Sequence, residues 1–99
     1  MTAYQRKRGN PYRLPHNVYM RTAYTVRDYA RLRGMGSETS VRRVEAIDAA
    51  LNELPPEYRQ AVFAYVASGK PYPIIAGQAT WRRWQQRFIW HVAMLLGEE

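Results

Sequence analysis

The stretch TWRRWQQRFIWHVAMLLG, residues 80–97, constrains the fold more than any other part of the chain. Trp81, Trp84, Phe88, Val92, Leu95 and Leu96 recur in it every three to four positions, which is the spacing of one face of an α-helix. At 100° per residue they gather within roughly 120° of arc, with Arg83, Gln86, Arg87 and Trp90 opposite and Arg82 on the flank. Such a helix has to bury its aromatic side, and no helix does that alone. The rest of the chain must supply elements that cover it.

Those elements also carry the helical period. From Pro15, PHNVYMRTAYTVRDYARLR places Val18 or Tyr19, Thr22, Val26, Tyr29 or Ala30, and Arg33 on one stripe, predicting a first helix that GMGSETS stops with turn-forming and capping residues. Ser37 or Ser40 caps a second helix with Val41, Val44, Ile47 or Asp48, Leu51 and Leu54 inward and an acidic outer face of Glu45, Asp48 and Glu53. The two prolines of LPPEYR end it and start a third, Glu57 to Ser68, because proline cannot continue a helix yet fits its first turn. Gly69 suits the left-handed position that closes a helix. In KPYPIIAGQAT, Pro71 and Pro73 leave room for one helical turn carrying Ile74 and Ile75 inward. Thr80 then caps the last helix, Trp81 to Leu96, which Gly97 ends. No segment alternates with period two. The expected fold is all-α: a small bundle of about four helices in one domain, residues 14–99, preceded by a flexible basic arm, residues 1–13.

Composition limits what such a domain can do. Ninety-nine residues without a cysteine offer one small core, no disulfide and no thiolate site, and they suit a reducing cytoplasm. The longest apolar run, FIWHVAMLL, falls far short of the roughly 20 residues that span a bilayer, so no membrane association is expected. His16 and His91 lack partners at any recognisable catalytic spacing, and no metal-ligand spacing or glycine-rich phosphate loop occurs. The chain reads as a non-enzyme without cofactor or metal. Trp90, on the polar side of the last helix, packs on the arm or first helix, meets a second subunit, or lies exposed.

The net charge is +7, and thirteen of the fifteen cations are arginine. Residues 1–36 hold eight bases against Asp28, residues 37–57 two against five carboxylates, and residues 58–99 five against Glu98 and Glu99. A field of that kind attracts polyanions, and the planar guanidinium fork fits phosphates and guanine edges. A helix offering Arg82, Arg83, Gln86 and Arg87 over its first two turns fits the DNA major groove, where arginine and glutamine bind guanine and adenine edges through paired hydrogen bonds. Lys70 and Gln78 then lie at the backbone, and Arg6, Lys7, Arg8 and Lys70 neutralise phosphates. The rival reading is a protein-interaction module that uses the acidic second helix and Trp90 to hold a protein partner and touches nucleic acid only in passing.

The segment LNELPPEYRQAVFAYVASGKPYPIIAGQATWRRWQQRFIWHVAMLLG resembles the fourth region of sigma-seventy-type factors, through Leu54, Pro55, Pro56, Arg59 and the Thr80-Trp81-Arg82 opening of the last helix. Its PYPIIAG stretch is several residues shorter than the supporting helix of that region. Residues 12–97, through YRLPHNVYMRT and TWRRWQQRF, resemble small phage and prophage proteins of Firmicutes related to the RinA and ArpU late-transcription regulators. The resemblance implies a helix-turn-helix with Thr80, Arg82, Arg83, Gln86 and Arg87 on its recognition helix. It also implies double-stranded promoter DNA as the ligand, host RNA polymerase as a further partner, and the cytoplasm of a bacterial host as the location; under the rival reading the protein partner is RNA polymerase or a phage terminase or packaging component. A monomer offers few base contacts, so specific binding favours a homodimer on a two-fold site.

Overall fold

The computed structural model describes residues 11–97. They form five helices: α1 His16–Arg27, α2 Tyr29–Met35, α3 Glu38–Asn52, α4 Pro56–Ser68 and α5 Gln78–Leu96. The fold is all-α, and no strand occurs among the described residues.

The first helix, expected to be continuous, is broken at Asp28. There the backbone (φ −84°, ψ 5°) leaves the helical region, and the Asp28 N–H is shared between the Tyr24 and Thr25 carbonyls at 3.2 and 3.1 Å. The Asp28 carbonyl accepts from Leu32 N at 2.8 Å, so helix resumes at once. The bend lets α2 lie along α3. Leu32 is buried, the Tyr29 hydroxyl donates to Asp48 Oδ1 at 2.7 Å, and the Tyr29 ring meets Phe63 edge-on at 5.1 Å.

Of the two candidate caps for α3, Ser37 takes the position. Its Oγ accepts from Ser40 N at 3.1 Å, and Ser40 is buried behind it, hydrogen-bonded to the Ser37 carbonyl at 2.9 Å. Pro56 opens α4 as the sequence requires. Arg59 reaches back from α4, its Nε to the Leu54 carbonyl at 2.9 Å and its Nη2 to the Asn52 carbonyl at 3.2 Å. It thereby satisfies acceptors that the end of α3 leaves open. Gly69 closes α4 at φ 72°, a conformation that side chains with a Cβ avoid.

The core gathers Val26, Ile47, Ala50, Leu54, Val62, Val66, Trp81, Phe88, Ile89 and Val92. Helix α5 packs most extensively on α3, with α1 and α4 against its other sides. Its buried face is Trp81, Phe88, Ile89, Val92 and Ala93, rotated a few tens of degrees from the arc the aromatic period predicts. Ile89 and Ala93 go inward, while Leu95, expected inward, is 50% exposed. Covering from three helices, rather than the hydrophobicity of α5 alone, sets its orientation.

Candidate functional site

The N-terminal half of α5 is held by a stack of rings. Tyr72 lies flat on Trp81, centroids 4.5 Å apart and planes 4° apart, and Tyr65 stacks on the other face of the group at 4.6 Å from Tyr72. Tyr58 closes on Trp81 edge-on at 5.2 Å and on Trp84 face-on at 5.5 Å. Trp81 is 1% exposed, and its indole N–H donates to the Pro73 carbonyl at 3.2 Å. Gln85 ties the stack to α1: its Nε2 donates to the Tyr19 hydroxyl at 2.6 Å, and its Oε1 accepts from the Tyr72 hydroxyl at 2.8 Å. Burial, then the neighbouring Tyr19 and Tyr65, push the Tyr72 hydroxyl well above the ordinary tyrosine range, so it stays a proton donor. Burial likewise raises Tyr19, against the opposing hydrogen bond from Gln85. Nothing in the spacing of Gln85 announced this internal role; its partner Tyr19 is 66 residues away.

Helix α5 begins three residues before the expected point, at Gln78 rather than Trp81. Gly77, extended at φ −76° and ψ 165°, stands at the cap and offers no side-chain bond, and its carbonyl accepts from Trp81 N at 3.2 Å. Thr80, expected as the cap, therefore lies within the first turn, partly buried. The first-turn amides are left without a side-chain acceptor, and amides in that position accept anions.

The candidate residues separate into two groups. Lys70, Gln78, Arg82 and Arg83 are exposed at the N-terminal end of α5 and the turn before it. Neither Arg82 nor Arg83 enters an ion pair or a hydrogen bond among the described residues. Gln78 and Arg82 share the wall of a concavity of about 550 Å³ with Tyr65, Tyr72, Pro73 and Ile74. Gln86 and Arg87, further along, are partly buried. The Arg87 guanidinium lies 4.5 Å from the Tyr12 ring centre and 5.0 Å from that of Trp84, and its Nε is buried without a hydrogen-bond partner. Trp90 packs edge-on against Tyr12 at 5.1 Å. Arg6, Lys7 and Arg8 lie outside the described residues.

The turn itself departs from expectation. Ile74 and Ile75 were to point inward; they are 99% and 67% exposed. Tyr72, Ala76 and Trp81 occupy the inward space, and Pro73 is drawn to the Trp81 indole by its carbonyl, which leaves the two isoleucines at the tip.

Among the described residues no three His, Cys, Asp or Glu side chains group as a metal site would, and no helix is long and apolar enough to cross a membrane. His16 is exposed at the start of α1. His91 lies against Trp90 at 5.0 Å, and burial lowers its pKa, with Arg87 adding to the effect and Glu53 opposing it.

Residues 44–78 match the family model described as Sigma-70, region 4. The matched segment takes in the C-terminal part of α3, all of α4 and the turn, and it ends on the first residue of α5. It is a helix-turn-helix segment covering about a third of the chain, and it points toward DNA binding in transcription. No curated protein and no solved structure matches the chain.

Proposed function

We propose that the protein is a non-catalytic transcriptional regulator, of the kind phages and prophages encode, that grips double-stranded DNA with the N-terminal half of α5. One observation carries the reading: Arg82 on the flank and Arg83 on the opposite side stand exposed and unengaged on a helix that Trp81 locks in place, with Gln78 exposed at its first residue. A side chain that reads a base edge must be held by a rigid element, because positional freedom would cost the paired hydrogen bonds their geometry. The stack of Tyr65, Tyr72 and Trp81 supplies that rigidity. Open amides at the start of α5 and Lys70 in the turn suit the phosphate backbone beside the groove. Arg87, clasped between Tyr12 and Trp84, adds its charge to the same side of the helix. Two copies on a two-fold site would double the few base contacts one copy offers.

The match to residues 44–78 ends before Arg82 and Arg83, and this favours a second reading in which α3 and α4 contact RNA polymerase while α5 only assists. Charge reversal at Arg82→Glu and Arg83→Glu separates the two. Under the first reading the double variant loses duplex binding in fluorescence anisotropy while keeping its helical content. Undiminished DNA binding by that variant, together with an intact complex with purified polymerase, would establish the second.

A further inference from the structure

Two large aliphatic side chains at the tip of a turn have no role in the core and none in the cationic grip described above. Ile74 is 99% exposed and Ile75 67%. Their stem is stiff: Pro71 and Pro73 restrict the backbone, Tyr72 is stacked between Tyr65 and Trp81, and the Pro73 carbonyl is held by the Trp81 indole. A turn built this firmly presents its tip in a defined direction, and Ile74 lines the same concavity as Gln78 and Arg82.

We infer that Ile74, with Ile75 beside it, packs on the 5-methyl group of thymine in the major groove and makes the protein selective for thymine at that position; the inference rests on the DNA-binding reading above. The chemistry around the tip chooses the occupant. An apolar protein surface seated on the isoleucines would also have to face Lys70, Gln78 and Arg82. In the major groove, negative potential and an apolar group occur together, since thymine places its methyl there between the phosphate ridges. The open amides of α5 and Lys70 draw the phosphates to the rim. The tip then meets base edges beside those that Arg82 reaches, while Gln78 stays at the backbone.

The test needs duplexes that differ by the methyl alone. A duplex selected from a random pool by the full chain is compared, in anisotropy titrations at moderate salt, with the same duplex carrying deoxyuridine for each thymine in turn. At one thymine or more the wild type should bind the deoxyuridine duplex about fourfold more weakly, the effect of losing one buried methyl. Ile74→Ala should bind both duplexes equally and at the weaker level, with an unchanged thermal midpoint because Ile74 leaves the core untouched. Equal binding of both duplexes by the wild type overturns the inference, as does an Ile74→Ala variant that keeps the preference. Arg83→Glu tells the two failures apart. If it abolishes binding while the methyl has no effect, the grip stands and the thymine contact falls; if no duplex is retained even by the wild type, both fall together.

Discussion

Trp81 and Trp84 sit three residues apart on one helix, and their indole N–H groups have different fates. That of Trp81 reaches the Pro73 carbonyl; that of Trp84 is buried without a partner, like the neighbouring Arg87 Nε. A buried unpaired donor costs about 1–3 kcal/mol, so removing the Trp84 donor relieves a penalty, whereas removing the Trp81 donor leaves a carbonyl unpaired. Trp81→Phe should therefore destabilise the domain by about 1–2 kcal/mol more than Trp84→Phe in urea unfolding. Equal losses would show that ring area alone matters. His91 yields a pH effect. Its folded-state pKa lies below the ordinary value because burial disfavours the charged form, so the unfolded chain takes up the proton first. Its contribution is fully present above pH of about 6.5 and is lost as pH falls through the lower folded-state pKa. The thermal midpoint should drop on acidification through that window, and His91→Gln should flatten the drop. The inward setting of Trp81 was legible from its place in the apolar period. The difference between the two indoles was not, because hydrogen-bond partners come from other elements.

At the scale of elements, start and stop signals proved most readable where a residue's own backbone chemistry decides. Pro56 opens α4, and Gly69 and Gly97 close α4 and α5 in the left-handed conformation. Replacing Gly69 by Ala should cost about 1–2 kcal/mol of stability, the strain of a Cβ in that conformation, measurable as a lowered urea midpoint with an unchanged slope. The cap of α3 predicts a similar figure: Ser37→Ala should cost about 1 kcal/mol, with Ser40→Ala a separate test of the buried hydroxyl behind it. Signals that depend on packing were hidden. The apolar stripe runs on through Asp28, so the period gives one helix, and only the docking of Tyr29 and Leu32 on α3 breaks it. Thr80 carries an ordinary capping side chain, yet Gly77 holds the position because the Trp81 amide closes its ring there.

For the molecule as a whole, charge is the property the sequence states most openly. Its +7 leads to an expected salt dependence: with about five phosphate contacts, log affinity should fall against log salt with a slope near −4 to −5. A flat response in anisotropy titrations would contradict the proposed grip. What the sum cannot say is where the cations stand. Arg31 is paired with Asp28 at 2.7 Å and Arg87 lies between two rings, while Arg82 and Arg83 face outward from α5.

The amino-acid order alone determined that the chain is helical, where proline and glycine punctuate it, and that one side of the last helix must be covered around Trp81. These follow from backbone restriction and from the 3.6-residue period, which act over a few residues. Only the tertiary structure decided how far α5 turns about its axis, that Gln85 faces inward and Ile74 outward, and which arginines remain available. Those outcomes depend on which side chain fills a shared space first, and the competitors, Tyr19, Tyr65, Tyr72 and Trp81, come from elements far apart in the chain.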